Sequence, residues 1–248
     1  VDFRFMLLIF CVYFSMSITQ VAKQLMERVL QSRPSNVEKD GELRVLDLGC
    51  GVGMSTLAIA SAFRREKDTN VTVVGVDTSP EMIAMARTKA LEQKGITKLA
   101  ETHQCPTKHR DKDWIQLPIT TTTTTNTEFL EANAEKTPVP RESFDLVTIM
   151  YVLHEVPLRG RKKILREARR VLRPGGMLAV IDISQDYEPS PSMLSGEPYL
   201  KEYQQNFSKQ MAALEGFRSY SQQIVVPGHV VVQTLVKKSN PRWLGFLW

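Results

Sequence analysis

Val45-Leu46-Asp47-Leu48-Gly49-Cys50-Gly51-Val52-Gly53-Met54-Ser55-Thr56 is the stretch on which the reading of this chain turns. Val45 to Leu48 reads as a short apolar strand. Three glycines at alternate positions follow, and Ser55 to Phe63 continues with a helical apolar pattern. Glycines spaced in this way let the backbone turn sharply, adopt positive φ and approach a ligand with no Cβ between. The next helix would aim its first N–H groups at the same place. The combination describes a ligand cradle at the carboxyl end of a strand, where open α/β sheets bind ligands.

Spacing narrows the ligand. A dinucleotide fingerprint needs G-x-G-x-x-G, and Met54 stands where its third glycine would fall. A P-loop needs a lysine, and none is present in the turn. The residues alone leave an ordinary strand–turn–helix joint open. The pattern D-x-G-x-G-x-G, with Asp47 two residues ahead of the first glycine, resembles the first motif of the class I S-adenosylmethionine-dependent methyltransferases. The resemblance implies S-adenosylmethionine (SAM) as cofactor. Asp47, Gly49, Cys50, Gly51 and Gly53 would then hold its methionine part.

Asn70 to Asp77, N-V-T-V-V-G-V-D, is a β-branched run broken by Gly75 alone, as expected of a strand buried on both faces. Asp77 ends it, 30 residues after Asp47. A carboxylate there can accept two hydrogen bonds from the vicinal diol of a ribose; a helix-capping role is the alternative. Ser79 is a natural N-cap and Pro80 suits a first helical position. Met82, Ile83, Met85 and Ala86 are expected on the inner face of that helix, with Thr78 and Met82 beside the cofactor.

Residues 97–127 break the pattern with scattered charges and a threonine run from Thr120 to Thr125, and read as a low-complexity insertion. His103, Cys105 and His109 lie within it, with no fourth ligand at a metal-binding spacing, so no metal site is expected. Glu128 to Ala132 resumes as the third strand. Asn133-Ala134-Glu135 follows, where the family usually has Asp-Ala-Glu; Asn133 and Ala134 are therefore assigned to the adenine, the Asn133 carbonyl replacing a charged acceptor.

Ser143 to Met150 is the fourth strand, and Tyr151-Val152-Leu153-His154-Glu155 follows. F-D-L-V followed by L-H-E resembles the fourth motif of small-molecule methyltransferases, where donor methyl and acceptor meet. Met150 is assigned to the cofactor, and Tyr151 and His154 to the acceptor side. His154 could act as a base, its ordinary pKa lying near neutrality, or could be a structural histidine bonding a loop. Arg161 to Leu172 reads as a helix with Ile164, Leu165, Ala168, Val171 and Leu172 buried and the charges on a solvated face. Arg173-Pro174-Gly175-Gly176 stops it, and Met177 to Ile183 is the fifth strand. L-R-P-G-G before a strand recurs in the family at this place.

Ser184 to Pro198 is a polar loop. Tyr199 to Leu214 is a helix whose stripe of Tyr199, Tyr203, Phe207 and Met211 either packs in the core or caps an apolar substrate. Ser219 to Val226 and Val230 to Val236 form an antiparallel pair around Pro227-Gly228-His229, with His229 structural in the turn. The fold class expected is α/β: a doubly wound, Rossmann-like sheet of seven mostly parallel strands with an antiparallel C-terminal strand.

The chain has 248 residues, 24% charged and 42% hydrophobic, with net charge +5. That suits one globular α/β domain, assigned to residues 17–238, with residues 239–248 as a tail. The basic run from Arg159 to Arg173 is better explained as a solvated helix face than as a nucleic-acid module. Cys11, Cys50 and Cys105 form no disulfide framework, which points to a reducing intracellular compartment. Phe5 to Phe14 is apolar but shorter than the roughly 20 residues that span a bilayer. It is a targeting segment, a buried helix covering the core or a misplaced start. Ser17 to Gln31 follows as an amphipathic helix and Ser32 to Gly41 as a loop. The function expected is methyl transfer from SAM to a small organic acceptor. Methylation of RNA or protein, or a catalytically silent SAM-binding module, are the alternatives.

Overall fold

A computed structural model describes residues 20–25, 27–29, 42–64, 70–93 and 125–239. The N-terminal apolar run, the loop 32–41, the residues His103, Cys105 and His109, and most of the C-terminal tail lie outside them.

Seven strands form one sheet: β1 (Leu43–Leu48), β2 (Val71–Asp77), β3 (Thr125–Glu131), β4 (Phe144–Met150), β5 (Leu172–Ile183), β6 (Phe217–Val226) and β7 (Val230–Lys237). Their spatial order is β3-β2-β1-β4-β5-β7-β6. β1 pairs in parallel with both β2 and β4, β2 with β3, and β4 with β5. β7 is antiparallel to its neighbours β5 and β6. The order reverses between β1 and β4, so the crevice at their carboxyl ends is the expected ligand site. The helices are α1 (Met54–Phe63), α2 (Pro80–Gln93), α3 (Leu158–Val171), α4 (Pro191–Gly196) and α5 (Leu200–Ala212), with a 3₁₀ turn at Leu153–Glu155.

The side-chain alternation of the strands distributes the core to two faces. Leu46, Leu48, Val147, Ile149, Leu178 and Val180 pack with α3 and α5. Val45, Val73, Leu146, Ala179 and Ile181 pack with α1 and with Val21, Ala22, Leu25 and Val29 of the helical residues 20–25 and 27–29. Covered on both sides, the central strands can tolerate no polar face, hence their predominantly apolar sequence. Asp145 braces the opposite sheet end. It accepts from Arg44 N at 2.9 Å and holds Arg173 Nη1 at 3.0 and 3.1 Å.

Several boundaries differ from expectation. Thr125, Asn126 and Thr127 belong to β3, because β-branched threonine suits a strand whatever the complexity of its surroundings. Leu172 leaves the helix and opens β5 with extended dihedrals of φ −65° and ψ 137°. The loop after β5 contains α4. On α2, Ile83 and Ala86 are buried, whereas Met82 and Met85 are 42% and 51% exposed. Tyr203, Phe207 and Met211 of α5 are core, with Tyr203 and Phe207 stacked at 4.6 Å, while Tyr199 stands at the surface.

Candidate active site

The glycine turn is pinned to the end of β2 by Gly49 N and Cys50 N, which both donate to Val76 O at 2.8 and 2.9 Å. Gly49, Gly51 and Gly53 have φ of 77°, 52° and 82°, the left-handed region where a side chain is strained. Their surroundings differ. A Cβ on Gly49 would stand 2.4 Å from Val152 Cγ2, and one on Gly53 would stand 2.9 Å from Ala86 Cβ and Phe129 Cε1. A Cβ on Gly51 would meet nothing within 4 Å. Gly51 thus presents bare backbone to an open face. Gly53 is the N-cap of α1 and offers no side-chain cap to the first turn.

Asp47 lies beneath this turn, buried. Its Oδ2 accepts from Ser55 Oγ at 2.5 Å and Thr56 Oγ1 at 2.7 Å, and its Oδ1 from Thr148 Oγ1 at 2.7 Å. Burial raises its pKa, opposed by the hydroxyls of Ser55, Thr148 and Thr56. The carboxylate therefore joins α1 and β4 from inside. Cys50 is also buried, and its thiol is pushed far up by burial, then by the charges of Asp47 and Asp77.

Asp77 stands at the tip of β2, half-buried. Oδ2 accepts from Gly51 N and Oδ1 from Ser79 N, both at 2.9 Å. Each oxygen keeps a further lone pair. Ser79 Oγ caps α2 by accepting from Met82 N at 3.2 Å. Thr78 and Met82 are exposed beside Asp77. Ala132 N donates to the main-chain Asp77 O at 2.9 Å, which ties the start of the Asn133–Ala134 corner to the tip of β2. Asn133 is exposed, and its Oδ1 accepts from Glu135 N at 2.8 Å in a local turn.

Across the switch point, β4 ends in buried Met150. Tyr151 then takes φ 56°, an unusual value for a non-glycine residue, while its N–H donates to Ile181 O at 2.8 Å. Such strain at a strand tip is held by surrounding structure and is common at functional sites. His154 is only 4% exposed. Its Nδ1 lies 2.6 Å from Asp182 Oδ1; its Nε2 lies 3.7 Å from Glu155 Oε1 and 3.8 Å from Glu197 Oε2. Burial lowers the imidazole pKa, but the Asp182 hydrogen bond and the charges of Asp182, Glu155 and Glu197 outweigh it and hold it above its ordinary value. Asp182 also accepts from Leu153 N at 3.0 Å and Ile183 N at 2.8 Å, fixing the 3₁₀ turn to β5.

Asp182 signals itself in the sequence only as a carboxylate inside an apolar strand. Helical periodicity puts Arg161 and Glu167 on a solvated face. Both are buried: Arg161 against Tyr203 and Glu202, and Glu167 bonded to Thr137 and Arg170. His229 remains in its turn, with Nδ1 3.0 Å from Pro227 O. Among the described residues no group of three His, Cys, Asp or Glu side chains is arranged to hold a metal ion. No helix among them is long and apolar enough to cross a membrane.

A glycine turn over a helix N-terminus, a carboxylate at the second strand tip and a switch point between β1 and β4 define a nucleotide-type site of the doubly wound class. The family described as "Methyltransferase domain" matches residues 46–180, which span β1 to β5, and the chain belongs to that family. A demethylmenaquinone methyltransferase of Listeria monocytogenes is 33% identical over 145 residues, 58% of this chain and 46% of the relative. A ubiquinone/menaquinone biosynthesis C-methyltransferase of Hahella chejuensis is 47% identical over 64 residues, covering 26% of this chain and 25% of its own length. These matches span less than half of the relatives' length. A crystal structure of a SAM-dependent methyltransferase from Methanosarcina mazei superposes over 80% of this chain and 94% of its own with TM-score 0.51 and 19% identity, a likeness of fold.

Proposed function

We propose that this chain, with residues 17–238 as its methyltransferase domain, transfers a methyl group from SAM to a small organic acceptor. The observation that carries the reading is the open face of Gly51 beside an Asp77 carboxylate whose two oxygens are aimed by the N–H groups of Gly51 and Ser79. The residues present fit SAM. The Gly49–Gly53 backbone would receive its methionine part, with Cys50 and Asp47 shaping the turn from below. Asp77 would take the ribose hydroxyls. Met82 and Thr78 would flank the nucleoside, Asn133 and Ala134 would meet the adenine, and Met150 would line the floor. When bound, SAM supplies a methyl group on a sulfonium, already electrophilic.

The chain's own contribution is alignment and exclusion of water, worth roughly 7–11 kcal/mol where geometry is favourable. Tyr151 and His154, at the tip of β4, are the acceptor-side residues. The carboxyl end of β4 lies beside that of β1, so an acceptor held there would face the donor methyl. The relatives' name, demethylmenaquinone methyltransferase, supports a small organic molecule as the acceptor class. The test is isothermal titration with SAM and S-adenosylhomocysteine, followed by transfer of labelled methyl into metabolite, lipid and RNA fractions. Binding that Asp77→Ala abolishes, with label in small molecules, is expected. No binding by the folded protein refutes the reading; label in RNA alone refutes the acceptor class.

A further inference from the structure

The outer face of α3 carries charge that the fold does not use. Arg159, Lys162, Lys163, Arg166 and Arg169 are its exposed cations, and at 3.6 residues per turn these positions fall within an arc of about 120°. Lys163 is paired with Glu135 at 2.7 Å; the other four have no ion pair among the described residues. Glu167, the one acid of the helix, is buried and bonded to Thr137 and Arg170. On the neighbouring α5, Lys209 joins Lys162 along an open groove between the two helices, and Glu202 in that groove is neutralised by Arg161. The outer side of α3 is thus a positive strip.

The arrangement works against the helix that bears it. The first turn holds no acid, and Arg159 and Lys162 stand at the positive end of the helix dipole. Arg159 and Lys163, like Lys162 and Arg166, are like-charged neighbours four residues apart, which destabilise a helix. Solubility is served equally well by interspersed charges of both signs. A row of one sign fits a surface of the opposite sign.

The rest of the face says which surface. None of the exposed side chains of α3 is aromatic, so the cations lack the stacking platform that accompanies them in sites for single-stranded nucleic acid. Leu158, 36% exposed, stands at the head of the row, and an apolar side chain suits the boundary between headgroups and acyl chains. The apolar stripe of α3 is committed to the core, so the helix cannot sink into a bilayer; contact would be made by its cations at the headgroup phosphates. The row also has a position. α3 begins at Leu158, four residues after His154, so the cations start beside the acceptor end of the crevice.

We propose that this face docks the protein on an anionic lipid bilayer. The docking stands on surface charge alone. That it brings the acceptor end to the lipid, where an apolar acceptor would be taken up, rests on the methyltransferase reading.

Cosedimentation of the full chain with vesicles tests the docking. Phosphatidylcholine vesicles with and without about one-third phosphatidylglycerol are compared at low salt and at about 1 M, where the screening length falls to about 3 Å. Binding to the anionic vesicles alone, lost at high salt, is expected. Lys162→Gln/Arg166→Gln should weaken it about 25-fold, about fivefold for each cation near the surface. The melting temperature and the S-adenosylhomocysteine affinity should not fall, since both side chains are exposed and the pair is self-repelling. Lys23→Gln/Arg64→Gln removes the same charge from elements packed on the other face of the sheet, and should weaken binding by less than about twofold, those positions being beyond the screening length from the lipid. No binding to anionic vesicles overturns the proposal, and so does an equal loss in the two double variants. Binding of polyuridine through Lys162 and Arg166 in preference to vesicles assigns the face to nucleic acid and also overturns it. A protein that docks on the vesicles but fails to bind S-adenosylhomocysteine leaves the bilayer contact standing and overturns the methyltransferase reading alone.

Discussion

Gly51→Ala separates folding from ligand binding, because the added methyl group meets open space. With φ at 52°, an alanine in this left-handed conformation costs about 1–2 kcal/mol. The less flexible unfolded chain returns about 0.4–1 kcal/mol. Nothing lies within 4 Å of the new Cβ, so no packing penalty is added. The net loss is at most about 1.6 kcal/mol, a fall of no more than about 6 °C in a domain of this size. The same methyl group projects from the face across which the methionine part would lie, so the dissociation constant for S-adenosylhomocysteine should rise about tenfold or more, some 1.4 kcal/mol. Gly49→Ala is the control, since its Cβ would stand 2.4 Å from the branched side chain of Val152. Strain and overpacking together reach about 2–5 kcal/mol, roughly 4–20 °C. The assays are differential scanning calorimetry and isothermal titration on each variant. A Gly51→Ala protein that binds S-adenosylhomocysteine as the parent does would refute a ligand over this loop. One that melts as low as Gly49→Ala would refute the open-face geometry.

Cys50, buried and with its thiol pushed far up by burial and the neighbouring carboxylates, should stay unmodified by iodoacetamide in mildly alkaline buffer while the urea-unfolded chain is alkylated; peptide mass spectrometry that finds equal labelling contradicts this. His154 has a folded pKa above its ordinary value near 6.5, so its stabilisation is complete below that value and is lost as pH climbs through the folded pKa. The melting-temperature gap between the parent and His154→Gln should therefore be larger at about pH 6 than at about pH 9, and a gap that widens with pH sinks the assignment. Phe207→Ala empties a fully buried position stacked on Tyr203 and should lower unfolding free energy by about 3–5 kcal/mol in urea titration; a loss under about 1 kcal/mol would show that α5 is not part of the core.

The central strands are legible because burial on both faces favours apolar and β-branched residues, so Val71–Val76 and Leu146–Met150 stand out as runs in which threonine is the one polar residue. The glycine turn was readable because left-handed backbone in three nearby places selects glycine. Other features depend on partners distant in sequence. Periodicity assigns Arg161 to a charged helix face, and only the roof supplied by Tyr203, 42 residues later, buries it. Asp182 is an unexplained acid in an apolar strand until β5 brings it against His154. The start of β3 at Thr125 was hidden because a threonine run reads equally as low complexity and as strand-forming sequence.

The two aspartates of the cofactor end show how residues of the same type divide the work by solvent access. Asp77 is half-buried, tied to backbone N–H groups, and retains a lone pair on each oxygen beyond those bonds, which suits a residue that meets a ligand. Asp47 turns inward, and the hydroxyls that hold it come from α1 and from β4. Through Thr148 that inner carboxylate ties the glycine turn to the strand that ends in Met150 and leads to the strained Tyr151. A methyl transfer needs donor and acceptor in line, and a shift of one strand tip against the other would spoil that line. Asp47, holding both from beneath, keeps the two halves of the crevice in register, and this fixed relation between them is what the proposed chemistry requires.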